Sequence, residues 1–587
     1  MTNAVTELKV DDEAFLVASL IDRCPKAMML RELVQNAIEA VTQAPSDQRR
    51  IVIDTVEVEG GKKLRIRNNG PGLDRQNLYR MCDLAASIGK IKGLDKNFGM
   101  GAKVASLPSN NHGVRYRSCS RGEVYEVTIG KRGGVYGRIV RPPADGTGMA
   151  ADIANVTEVV KAEGYDLSLD WTEVTLLGMR PSQNTAQDPY DGDPTVSPQW
   201  LPETLYNRYF RIPEGVEIRI AGEFLAQRSE RGFESVLQRA PTAFARYECV
   251  NAPDGVRIHY LYDPTDPDQP WENQSSQGAL QAAAGQTAIV FRNEIYDRNF
   301  GPSWAYDGPE YGITFGARNF SAYIELPDGY PAWPDTYRQN LFRTSGAGEH
   351  LWTRNFAAQV LVLRPAWLLE LLQTMSGGNE VSSSVLDSLL GLKSVLNPAA
   401  LLFAEGAPLE DEGGGVWTPE TGGDFVSGEQ PRSNRRINMS ISKPILGFEI
   451  VLLHNAQEIQ ERWLRGRAGC YYPSTRQLFL NTHYTAVAEM HRLILRMCTD
   501  IAGVEGLDGA AQQAAIDCLV LRAGRCLLFG LAKQDDEDNW QPGHIEKAIS
   551  PESLSVSADD FHELTQWAVR QVRQRVGGAA PAIAVTA

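Results

Sequence analysis

Apolar residues recur at helical spacing over 30–41, where Leu30, Leu33, Val34, Ala37, Ile38 and Val41 fall on one face. A helix over 14–21 precedes this one. The pattern then changes to period two: 50–57 reads as a strand, and a second strand ends at Asn68, with Leu64 and Ile66 alternating against Arg65 and Arg67. Residues 74–85 turn helical behind Asp74 as N-cap, and 102–107 form a short helix. The segments 113–120, 123–131 and 134–140 alternate as antiparallel strands. Together they predict an α+β sandwich, with helices on one face of a mixed, mostly antiparallel sheet. Residues 142–166 read as an excursion from it, and 180–199, rich in Pro, Asp, Ser and Gln without a period, as a linker.

A second module is expected from Trp200, with a helix over 201–210, strands over 216–220, 257–262, 287–292 and 321–325, and a long apolar-periodic helix over 351–372. Residues 405–438 contain Glu-Asp-Glu-Gly-Gly-Gly and few apolar positions, the composition of a flexible linker. A strand over 477–480 and helices over 484–501, 510–531 and 559–576 make the last module mainly helical. The expected division is 1–190, 200–375, a partly flexible 376–440, 441–578, and a frayed tail over 579–587.

The 587 residues are 43% hydrophobic and 22% charged, an ordinary globular profile, and the net charge of −15 argues against a protein that coats nucleic acid over its whole surface. No run of eighteen apolar residues predicts a membrane span, and residues 1–12 lack a signal-peptide core. The eight cysteines form no C-x-x-C pair and the eight histidines no H-E-x-x-H cluster, so reduced thiols, no zinc site, a cytoplasmic location and no membrane partner are expected.

Three short signals between residues 29 and 103 carry the candidate chemistry. Glu32 and Asn36 lie four apart on one helix face, where a carboxylate can accept a proton from water and an amide oxygen can ligate Mg2+. Alone, the pair also reads as the polar stripe of a surface helix. Asn68-Asn69-Gly70-Pro71-Gly72 ends a strand in a turn whose glycines let backbone approach a ligand, and alone it is also a plain β-turn. Asn97-Phe98-Gly99-Met100-Gly101-Ala102-Lys103 is a glycine-rich loop entering a helix, a phosphate cradle by its amides. Lys90, Lys92, Lys96 and Lys103 cluster around it in a chain that is otherwise acidic.

In their order and spacing these signals resemble the GHKL (Bergerat-fold) ATPase superfamily, which includes gyrase-type topoisomerases, large heat-shock chaperones, histidine kinases, MutL-type repair proteins and MORC proteins. The chaperone and MORC-like branch is the most similar in pattern. The resemblance implies a GHKL sandwich followed by a transducer-like α/β domain. It implies Glu32 as general base, Asn36 as Mg2+ ligand, Gly70 and Gly72 along the adenine pocket, and a lid around Gly99, Met100, Gly101, Ala102 and Lys103 closing over the phosphates of ATP, with Lys103 also assisting catalysis. Ala86-Ser87-Ile88-Gly89-Lys90 resembles the serine-glycine segment before the lid, which adds Ser87, and Trp171-Thr172-Glu173-Val174-Thr175-Leu176 resembles the last strand, where Thr172 joins the adenine network. The family carries an aspartate where this chain has Asn68, whose amide can both accept and donate, so base selectivity is open here. Transducer domains send a basic side chain to the γ-phosphate. Arg338 in Tyr337-Arg338-Gln339-Asn340-Leu341-Phe342-Arg343 is the first choice and Arg343 the second, although Arg338 also reads as a surface arginine packing its stem on Tyr337.

The resemblance implies Mg2+-dependent ATP hydrolysis by a machine that forms a homodimer on binding ATP and works on a protein or DNA client. The alternative is a nucleotide-binding regulatory or scaffold protein with little turnover.

Overall fold

A computed structural model describes residues 11–45, 48–83, 101–141, 150–225, 229–269, 272–275, 285–335, 337–344, 348–375, 381–396, 446–535 and 539–577. The chain is a mixed α+β protein in two compact units, Met1–Trp304 with Ala317–Pro365, and Ala305–Gly316 with Ala366–Ala587.

The first unit opens with helices α1 (Glu13–Asp22), α2 (Met28–Val41), α3 (Arg75–Met81) and α4 (Gly101–Ser106). Asp12 and Asp74 cap α1 and α3, each carboxylate accepting a backbone N–H three residues on. The strands are β1 (Arg50–Val58), β2 (Gly61–Asn68), β3 (Gly113–Ser120), β4 (Glu123–Arg132), β5 (Val135–Arg138), β6 (Ile153–Asn155), β7 (Trp171–Gly178), β8 (Glu217–Ile220) and β9 (Arg231–Gly232). They form one sheet in the order β5-β4-β3-β7-β2-β1-β8-β9, with β6 pairing β4. The apolar stripe of α2 packs on one face of it, against Ile51, Ile53, Leu64, Ile66, Val114, Tyr116 and Leu176. The opposite face carries charge, with Arg65 paired to Asp54 and Glu173, and Arg117 to Glu126.

Two expected boundaries move. The strand assigned to the second module is β8, and it pairs parallel with β1, from Arg50 opposite Glu217 to Ile53 opposite Ile220. Trp200, Leu201 and Leu205 join the same core, so the first layer extends well beyond residue 190. Residues 180–199 are not a free linker. Ala186 and Tyr190 are buried in that core, and the fully buried Lys63 ammonium donates to the carbonyls of Leu177, Pro181 and Gln183 at 2.6 to 2.9 Å. A single lysine thereby satisfies several carbonyls that a loop packed on the sheet would otherwise bury unpaired.

A second sheet follows in the order β10 (Arg246–Asn251), β11 (Arg257–Tyr262), β14 (Phe320–Glu325), β12 (Gln286–Phe291) and β13 (Glu294–Phe300), and a hairpin pairs β15 (Ala332–Pro334) with β16 (Leu341–Arg343). The long helix expected over 351–372 is interrupted: helix Ala357–Val362 stops short of Pro365 and a new helix, Ala366–Met375, begins after it, because proline removes a backbone donor and clashes with the preceding turn.

In the second unit the first part of the expected 376–440 linker is a helix, Ser383–Leu396, whose Val385 and Leu389 enter the core; residues 405–438 and 579–587 lie outside the described residues. The module is mainly helical, but it also holds a three-stranded sheet of Glu449–Leu453, Gln477–Asn481 and Gly469–Tyr472. In the 25-residue helix Leu507–Leu531 every residue from Ala514 to Leu521 is buried, Asp517 among them, which makes it the central helix of the unit. Helix Thr485–Met497 packs on it, the expected 559–576 helix begins later, as Thr565–Gly577, and a separate helix, Pro551–Asp559, precedes it where none was expected. All eight cysteines are free. Among the described residues no single helix is long and apolar enough to cross a membrane, and no group of three or more His, Cys, Asp or Glu side chains could hold a metal ion.

Candidate functional site

Helix α2 presents Glu32 half-buried and, one turn later, Asn36 exposed. The first residue of α4, Gly101, lies directly on the Glu32 carboxylate: a Cβ there would stand 1.8 Å from Glu32 Oε2. The end of the glycine-rich loop and the candidate base, far apart in sequence, are thus in contact. Only a residue without a side chain permits so close an approach.

The turn after β2 meets the far end of the same helix. A Cβ on Gly70 would come within 2.7 Å of the Ala40 backbone, and one on Gly72 within 1.7 Å of the Cys119 carbonyl oxygen. The turn is therefore wedged between α2 and β3. Beside it, Asn68, Thr172 and Ser118 form a polar row across β2, β7 and β3, because Asn68 pairs with Thr172 and Thr172 with Ser118 in register. Asn68 Nδ2 donates to the Thr172 carbonyl at 3.2 Å, Asn68 Oδ1 accepts from the Gly70 amide at 3.1 Å, and the Ser118 and Thr172 hydroxyls share a hydrogen bond of 2.7 Å. These contacts fix which way the Asn68 amide points and leave its oxygen a second lone pair.

Lys103 departs from its expected role. It is buried, and its ammonium donates to the carbonyls of Met81 and Asp83 at 2.6 Å each. It thus closes the C-terminal end of α3, and an ammonium so held is not free for a phosphate. Burial pushes its pKa down to about 8. Ala102 is buried beside it. Ser87, Gly99 and Met100 lie outside the described residues.

Among the described residues the structure places no contact between Arg338 and α2; its backbone carbonyl is linked to that helix only through Arg208, Glu294 and Arg31 in turn. Arg31, on the buried side of α2, has Nε and Nη2 on the two oxygens of Glu294 and Nη1 on Glu32. Arg208 donates from Nε to Glu294 at 2.7 Å and from Nη2 to the Arg338 carbonyl at 2.8 Å. Burial alone would raise the Glu294 carboxyl, but Arg208, Arg31 and, more weakly, Arg338 outweigh it and hold the pKa at about 2. Burial likewise opposes charge on Arg31, and Glu294, then Glu32, overcome it. Arg343 sits instead on β16, beside Tyr330. The one signal for this cluster was an arginine at apolar spacing in α2, three residues before Val34 and seven before Ile38; a charge on a core face requires a partner.

A cavity of about 210 Å³ opens beside Asn68, lined in part by Arg67, Asn69, Tyr165 and Trp171; neither Glu32 nor Asn36 reaches it.

No family model matches this chain, and no curated protein matches it.

Proposed function

We propose that this protein is a Mg2+-dependent ATPase of the GHKL type, a nucleotide-gated and dimerising machine acting on a protein or DNA client. The observation that carries the reading is the seating of Gly101 against Glu32 on a helix whose other end receives Gly70. From Glu32 to Ala40 is eight residues, roughly 12 Å of helix, a span that suits a nucleoside triphosphate with its base near Asn68 and Thr172 and its phosphates near Glu32. The donor set fits the ligands. Among the described residues the exposed Asn36 amide makes no hydrogen bond, so its oxygen is available to Mg2+, and Asn68 keeps an acceptor position for an adenine amino group. Mg2+ would supply charge neutralisation at the phosphate oxygens. Glu32 would accept the proton of the attacking water, and the backbone at Gly101, lacking a side chain, would let the phosphates approach.

Two variants test this. Asn36→Ala should abolish Mg-ATP binding by isothermal titration, and Glu32→Ala should bind ATP but lose roughly 10²–10⁴-fold in phosphate release. Unchanged affinity in the first, or wild-type release in the second, refutes the assignment. A second reading, a nucleotide-binding scaffold with little turnover, draws on the Arg31 guanidinium that occupies Glu32; it requires ATP binding by the wild-type protein without phosphate release.

A further inference from the structure

The carboxylate of Glu32 is engaged on both sides. Arg31 Nη1 holds Oε1, and the Gly101 backbone crowds Oε2. A carboxylate that accepts from a guanidinium keeps lone pairs for water but is a weaker proton acceptor than a free one, so the hold of Arg31 on Glu32 sets how strong a base Glu32 is.

What holds Arg31 comes from a distant part of the chain. Glu294 is the first residue of β13, directly after a two-residue turn in which Arg292 and Asn293 have φ of 50° and 73° and Phe291 pairs with Glu294, the geometry of a type I′ hairpin. The hairpin tip is fastened to the Arg208 segment by Ile295 N–H to Arg208 O at 2.8 Å and Phe210 N–H to Asn293 O at 2.9 Å. Arg208 ties Glu294 to the backbone of Arg338. Glu294, Arg208 and Arg338 therefore form one connected assembly, and its contact with α2 runs through Arg31, together with a Tyr209 hydroxyl on the Arg31 carbonyl at 3.2 Å.

We infer that Glu294 is a positioning residue through which the β12–β13 hairpin sets how strong a base Glu32 is: it draws on Arg31 in competition with Glu32, and displacement of the hairpin tip changes the partition of Arg31 between the two carboxylates. The inference rests on the reading of Glu32 as the base. Arg31 is 5% exposed, and a guanidinium so buried keeps an anionic partner. Glu294 and Glu32 are the two carboxylates acting on it. With Glu294 neutralised, Arg31 stays wholly on Glu32.

The experiment measures kcat and KM for ATP, with thermal unfolding of each protein, for the full chain carrying Arg31→Met, Glu294→Gln, or both. Arg31→Met frees Glu32 and should raise kcat, with KM changed by less than about twofold, since nucleotide binding is not the step affected. Glu294→Gln should lower kcat by roughly tenfold or more, within the ~10²–10⁴-fold range a general base supplies. The double variant should return to the Arg31→Met level, because without Arg31 the loss of Glu294 has nothing to act through. A purely structural role predicts instead that the Glu294→Gln loss persists in the double variant, and that result overturns the inference. So does an Arg31→Met protein that binds ATP without any gain in kcat; this arm decides even if Glu294→Gln fails to fold, because Arg31→Met leaves Glu294 paired with Arg208. Absence of phosphate release from the wild-type chain overturns the base assignment itself and the inference with it, whereas wild-type turnover with no Arg31→Met gain overturns the inference alone.

Discussion

Replacing Gly101 with alanine separates function from stability at this site. The new methyl would stand 1.8 Å from Glu32 Oε2, and real Cβ contacts essentially never fall under 3.0 Å, so the carboxylate has to retreat by about 1.2 Å. The obstacle is the far end of a flexible side chain, so rotation of Glu32 relieves the clash without moving backbone. Gly101 does not need a left-handed conformation, and alanine at a helical position is favoured over glycine by up to about 1 kcal/mol. The expected result is a protein that unfolds at or slightly above the wild-type midpoint, binds ATP, and turns it over about 10²-fold more slowly, the scale set by a misplacement near 1 Å at a reacting group. Gly72→Ala is the control. Its methyl would meet the Cys119 carbonyl at 1.7 Å, a backbone atom inside β3 that cannot rotate away, so it should cost stability, about 1–3 kcal/mol or more. Urea unfolding and steady-state phosphate release on both variants decide the matter. Full turnover in Gly101→Ala would refute either the contact with Glu32 or the role of Glu32 as base, and a large loss of stability would refute the claim that the clash ends on a mobile side chain.

Two further outcomes follow from buried polar groups. The Glu294 carboxyl is held near 2 in the folded state against an ordinary 4.5, so its stabilisation is complete above pH 4.5 and lost as the pH falls towards 2, on the order of 3 kcal/mol in total; acid unfolding of Glu294→Gln should lack that component, and identical acid limbs would contradict the pairing. Asn68→Asp would set a carboxylate oxygen where Nδ2 now donates to the Thr172 carbonyl, at an expected cost of about 1–3 kcal/mol in urea unfolding. An unchanged midpoint would mean that the amide is turned the other way.

The parts of this protein that repeat over a few residues were legible in its sequence. The stripe of α2, the alternation in β2 and β3 and the aspartate caps express 3.6- and 2-residue periods, and a helix or strand obeys those wherever it sits. Glu32 and Asn36 were legible for the same reason, being one turn apart. Boundaries that depend on which distant segment shares a core were not: 216–220 reads as a strand in either module, and only its pairing with Arg50–Ile53 assigns it to the first sheet. Lys103 reads as a phosphate ligand until its ammonium is found on the α3 carbonyls, and Arg31 and Glu294, 263 residues apart, carry no mutual signal. Periodicity is a local property of the chain. The partner of a buried charge is chosen by where the folded backbone brings an opposite charge, because a low-dielectric interior makes an unpaired ion too costly to leave alone.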